Sequence, residues 1–124
     1  MRSDHSKSLS FFKEFSNFYK DIGTEKIIFT PIYKYQEPYY FEEDEKKNAC
    51  VLDKYCGGYN AALNVFDPSL ILLENIRQKC LYERYYPTSL YFEKYWTYMM
   101  KFAENCADEN APDFTLECAD KVFN

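Results

Sequence analysis

Cysteine is the residue type here whose number and spacing could do chemistry. Five occur in 124 residues, at Cys50, Cys56, Cys80, Cys106 and Cys118. Redox exchange favours a C-x-x-C pair, and none is present. A structural zinc site needs four converging thiols or histidines, and the single histidine, His5, stands in the N-terminal tail. Thiol or serine catalysis also needs a base, which His5 is poorly placed to supply. Carboxylates cluster at Glu42, Glu43, Asp44 and Glu45 and again at Glu104, Asp108 and Glu109. Each cluster reads as a solvated face or the start of a helix. Gly57-Gly58-Tyr59-Asn60 lacks the preceding strand and following Lys–Ser/Thr of a phosphate loop. These residues call for no enzyme, cofactor, metal or small-molecule substrate. What remains for the thiols is cross-linking.

Geometry restricts that cross-linking. On a helix, Cys50 and Cys56 would be separated by about 9 Å of rise and about 240° of rotation. A disulfide needs Cα atoms within about 7 Å, so this pair requires the helix to break between them. Cys56 and Cys80 flank the turn at Phe66–Asp67 at comparable distances. Cys106 and Cys118 flank the turn around Asn110–Pro112. The expected bridges are therefore Cys56–Cys80 and Cys106–Cys118, with Cys50 left over.

The elements that must carry these cysteines are mostly helical. Asp67 is a good N-cap and Pro68 suits the first helical position. Leu72, Leu73, Ile76 and Cys80 then fall on one face. Pro87 stops that helix, and Thr88 or Ser89 caps the next. In the second helix Glu93, Thr97, Lys101 and Glu104 form a thin polar line, while Phe92, Tyr95, Trp96, Tyr98, Met99, Met100, Phe102 and Ala103 surround it. So narrow a wet stripe must be covered on most sides, and a small chain would need a partner protein for part of that cover.

Towards the N-terminus, Phe11, Phe12, Phe15, Phe18, Tyr19 and Ile22 mark the face of an amphipathic helix, ended by Gly23. The segment Lys26–Phe41 carries Pro31 and Pro38 and many β-branched and tyrosine residues. It reads as an extended arm. A further helix is expected from Glu42 to Phe66, with Leu52, Cys56, Tyr59, Leu63 and Phe66 on one face. A last short helix holds Leu116, Cys118 and Val122, with Asp113 as its cap. The expected fold is all-α: disulfide-stapled helical hairpins with an extended N-terminal arm. Residues 1–41 would form the amphipathic helix and arm, and residues 42–124 the stapled helical domain.

Composition narrows the partners. A net charge of −5 argues against nucleic acid. No apolar run is long enough to span a bilayer. Aromatic residues make up 20% of the chain, and Tyr and Phe suit protein interfaces. Phe11, Phe15, Phe18, Tyr33, Tyr35, Tyr39 and Tyr40 are the expected interface residues. The first fifteen residues lack the apolar core of a secretory signal. Disulfides without such a signal point to the mitochondrial intermembrane space.

Cysteines flanking helical turns resemble the twin-cysteine helical hairpin proteins of that compartment, although their usual spacing is nine residues. Tyr33, Tyr35, Tyr39 and Tyr40 ahead of Cys50 and Cys56, with Cys106-x11-Cys118 after them, resemble the PDSW accessory subunit of respiratory complex I. An alternative alignment uses Leu70–Cys80, LILLENIRQKC; Cys80 then matches the first cysteine of the wide pair and Phe92 replaces the second. The resemblance implies a non-catalytic accessory subunit, peripheral to the inner membrane and bound to other subunits of a large complex. Two readings of other classes stand beside it. One is a secreted helical binding protein with Phe92, Trp96 and Met99 lining an apolar pocket. The other is a cytosolic adaptor with free thiols.

Overall fold

The computed structural model describes residues 6–23, 26–33, 42–44, 50–51, 55–56, 68–108 and 112–124. The fold is all-α and disulfide-stapled. Helix α1 spans Ser6–Ile22 and α2 spans Pro68–Tyr85. A π-helical segment, Tyr91–Trp96, leads into α3, Thr97–Asn105, and α4 covers Leu116–Phe123. The extended run 26–33 crosses the helices as an arm. Among the described residues, no helix is long and apolar enough to cross a membrane.

The core sits around the π-helix and α3. Helices α1 and α4 pack on α3, while α1 and α2 pack on the π-helix. Tyr91, Tyr95, Trp96, Tyr98, Met99, Phe102 and Cys106 are all buried, joined by Leu9, Phe12 and Tyr19 from α1 and by Phe114, Ala119 and Val122 near the C-terminus. Glu93, Lys101 and Glu104 stay exposed along the thin polar stripe. The cover for this greasy helix thus comes from the chain itself, correcting the expectation that a partner supplies part of it. Three neighbouring helices suffice because ring packs on ring: Phe12, Tyr19, Phe29 and Phe92 all lie within 6.2 Å of the Trp96 ring, centroid to centroid.

The π register has a local cause and a packing result. Both the backbone N–H and the hydroxyl of Thr97 donate to the carbonyl of Phe92, five residues back. The wider turn lets the adjacent Tyr95 and Trp96 both face the core. The loop before it holds a cis Tyr86–Pro87 peptide. There Thr88 Oγ1 accepts from the Leu90 N–H at 3.2 Å. At the other end of the arm, Gly23 closes α1 in the left-handed region at φ 95°, and its N–H donates to the Tyr19 carbonyl. A side chain would be strained there.

Several expectations are corrected. The stretch expected to be helical across Cys50–Cys56 is a minimal antiparallel ladder instead, Cys50–Val51 against Tyr55–Cys56, with Cys50 directly opposite Cys56. This antiparallel pairing removes the helical separation that barred their bonding. They form one disulfide, so the expected Cys56–Cys80 bridge does not exist. Cys80 is an exposed free thiol. Leu52, Tyr59, Leu63, Phe66 and the expected cap Asp67 lie outside the described residues. Cys106 and Cys118 are bonded, with Cα atoms 6.0 Å apart, stapling the end of α3 to α4. The cap of α4 is Thr115, whose side chain accepts from the Cys118 N–H, rather than Asp113. Asp113 sits one step further out, accepting from Thr115 through both its backbone N–H and its hydroxyl.

Candidate binding surface

Helix α2 buries a face that apolar spacing does not pick out. Ile71, Leu72, Glu74, Asn75 and Gln78 are buried, while Leu73 and Ile76 are 45% and 50% exposed. The expected face of Leu72, Leu73, Ile76 and Cys80 is therefore largely turned outward, with only Leu72 inside. The reason lies across the interface. The helix meets tyrosines, and their hydroxyls require polar partners when buried.

Glu74 is the hub. Its Oε1 accepts from the Tyr98 hydroxyl at 2.8 Å and from Gln78 Nε2 at 2.9 Å. Its Oε2 pairs with Arg77. Because the Gln78 amide nitrogen is committed to the carboxylate, its Oε1 faces the other way and accepts from the Tyr33 hydroxyl at 3.1 Å. Tyr33 has a single proton to give, so the Tyr95 hydroxyl, 3.4 Å away, is the donor in that contact. Burial pushes the Glu74 carboxyl above its ordinary range; Tyr98, Arg77 and Gln78 pull it partly back. Burial likewise raises Tyr33, Tyr95 and Tyr98, keeping all three phenols neutral donors.

This seam fixes the arm. Tyr19 donates to the Ile27 carbonyl at 3.1 Å and Tyr82 to the Phe29 carbonyl at 2.8 Å. Ile27 and Phe29 pack into the aromatic core, while Ile28 is 74% exposed. Tyr19 and Tyr82 thus supply donors to two of the arm's backbone carbonyls.

The expected interface residues separate into three groups. Phe11 and Phe18 are exposed, with half-buried Phe15 between them at ring distances of 5.0 and 5.2 Å. Tyr33 is half-buried in the polar seam. Tyr35, Tyr39 and Tyr40 lie outside the described residues. Sequence reading missed Glu74, Gln78, Tyr82 and Tyr98. One signal was available: residues 71, 74, 75, 78 and 82 recur at helical spacing, so a polar set shared a face with Ile71 and Tyr82.

The three residues named for an aromatic pocket lie in the core. Trp96 and Met99 are fully buried and Phe92 half-buried, packed in the hydrophobic cluster. Among the described residues, no three metal-ligating side chains come together.

Fold and site together define a small, helical, disulfide-stapled domain with an aromatic core and an outward phenylalanine strip. Residues 2–124 match the vacuolar sorting receptor thioredoxin-like domain, and the chain belongs to that family. This overturns the resemblance to the twin-cysteine proteins and to the complex I subunit, and with it the mitochondrial setting and the respiratory partners; the secreted binding-protein alternative fits the family better. Disulfides persist equally well in the secretory lumen, so the two bridges fit this family without a mitochondrial setting. No curated protein and no solved structure matches the chain.

Proposed function

We propose that this chain is a non-catalytic, protein-binding domain of a sorting receptor, with cargo proteins as its partners and the secretory pathway as its setting. The family match across residues 2–124 carries the reading. The two disulfides support it, because the secretory lumen keeps such bonds oxidised. The binding surface is the Phe11–Phe15–Phe18 strip of α1, where two exposed rings flank a third that anchors them to the core. Thioredoxin-type exchange is not part of the reading. Its dithiol is a C-x-x-C pair set near a βαβ unit. The bonded cysteines here are six and twelve residues apart; one bridge joins two paired two-residue strands and the other the end of α3 to α4.

The test is binding of a soluble vacuolar cargo protein to the oxidised chain, measured by calorimetry. The expected result is saturable binding that falls at least tenfold in a Phe11→Asp/Phe18→Asp variant with an unchanged far-UV spectrum. An insulin-reduction assay should show no turnover above background. Absence of binding across a set of vacuolar cargoes, or real reductase turnover, overturns the reading.

A further inference from the structure

The arm is held in a way that suggests what else could lie in its place. After a turn at Lys26 and a bend at Ile27 it runs without helix or strand to Tyr33, its burial alternating, with Ile27 and Phe29 inward and Ile28 and Ile32 outward at 74% and 70% exposure. Phe29 is the main plug, with its ring 5.2 Å from Trp96, 5.4 Å from Phe12 and 5.9 Å from Phe11. The carbonyls of Ile27 and Phe29 are two residues apart. Both are read by phenolic hydroxyls, from Tyr19 and Tyr82. Side-chain donors aimed at backbone carbonyls recognise an extended main chain whatever its sequence, while the cavity filled by Phe29 selects an aromatic side chain. At the far end, Gln78 Oε1 and the Tyr95 hydroxyl are positioned for a hydroxyl, here that of Tyr33.

We infer that residues 26–33 are a displaceable strap, occupying in cis a groove that takes an extended peptide segment of a partner protein, with apolar and aromatic side chains at alternate positions. The groove is lined by Phe12, Tyr19, Trp96, Tyr82, Gln78 and Tyr95. The inference rests on the cargo-binding reading and extends its surface inward. The groove adjoins the Phe11 end of the strip, 5.9 Å from Phe29, so a cargo segment that continues from the strip competes with the strap. The groove's apparent affinity equals its intrinsic affinity multiplied by the fraction of molecules with the strap out. Gly23, which ends α1 in the left-handed region, marks where the chain leaves the helix to become the strap. The strap keeps the groove's aromatic floor out of water until a partner segment replaces it.

The probe is a fluorescent synthetic peptide with the sequence of residues 26–33, titrated by anisotropy into the full chain and three variants. Tyr33→Phe alters the strap alone, removing its hydroxyl from Gln78 and Tyr95, and should tighten peptide binding about threefold to tenfold. Phe29→Ala removes the plug and should tighten it at least tenfold. Adding Tyr82→Phe to Phe29→Ala alters the groove and should weaken binding again by about threefold to tenfold. The far-UV spectrum and a cooperative urea transition report whether each variant is folded, because the Trp96 signal itself responds to loss of the Phe29 ring. If Phe29→Ala is unfolded, Tyr33→Phe decides alone. Folded strap variants that bind the peptide no more tightly than the native chain overturn the inference. The cargo reading is judged separately: a cargo protein that fails to bind the native chain and Tyr33→Phe alike refutes that reading, whereas one that binds both equally refutes the strap's competition with it.

Discussion

Replacing Glu74 by leucine tests the polar seam at its hub. The side chain is fully buried, so its loss leaves the Tyr98 hydroxyl and the Gln78 amide without their acceptor. Each unsatisfied buried donor costs about 1 to 3 kcal/mol, or about 2 to 6 for the two. Two effects reduce that sum. Arg77 is 25% exposed and can turn to solvent, and burying the carboxylate carries a desolvation cost that leucine does not. The expected net loss is about 2 to 4 kcal/mol, or a fall of roughly 6 to 15 °C in Tm for a domain of this size. Thermal unfolding followed by circular dichroism measures it. Glu74→Gln, which keeps an oxygen for Tyr98, should lose less, and Tyr98→Phe less than Glu74→Leu. If Glu74→Leu costs under about 1 kcal/mol, or raises Tm, the claim that this network locks α2 to α3 is wrong.

Glu74 also sets a sign for pH. Its carboxyl is raised in the fold, so its contribution is fully present below the unfolded carboxyl range and is lost as pH rises through the folded value. The native chain should gain stability in urea on mild acidification from neutral pH, and Glu74→Gln should lose that gain. Asp113, lowered by its two hydrogen bonds from Thr115, works in the opposite direction, and its contribution fades as pH falls through its depressed value. Breaking the Cys106–Cys118 bridge by a double alanine substitution opens a loop of about 13 residues and should cost about 3 kcal/mol, or about 10 °C in Tm. The Cys50–Cys56 bridge closes a shorter loop and should cost closer to 2.4 kcal/mol by the same relation, leaving a smaller calorimetric shift. Thiol titration of the native chain should find one reactive group, Cys80, and Cys80→Ser should change stability by less than about 0.5 kcal/mol.

Local signals carried the helices well. Pro68 opens α2, Gly23 ends α1, and the stripe of Glu93, Lys101 and Glu104 is exposed as its spacing requires. Pairing and sidedness were less legible. Whether Cys50 meets Cys56 depends on a reversal of direction between them, which helical periodicity cannot register. The inward face of α2 was misjudged because hydrophobicity ranks Leu73 and Ile76 above Glu74 and Gln78, although burial was decided by the tyrosines across the interface. The Phe-rich face of α1 divides for a related reason. Leu9, Phe12 and Tyr19 point at α3 and the π-helix, and the neighbouring Phe11 and Phe18 are left outside by a helix with more rings than one face can hold. Disulfides alone could not name the compartment, since two oxidising lumens read alike in cysteine spacing.

The lone indole of this protein, Trp96, stands at the centre of its rings, and thirteen tyrosines share the chain with it. Light absorbed by those phenols has a single acceptor for energy transfer. Displacing Phe29 would alter the polarity and the quenching around that acceptor, so the unlabelled domain should carry its own optical signal for the arm's departure.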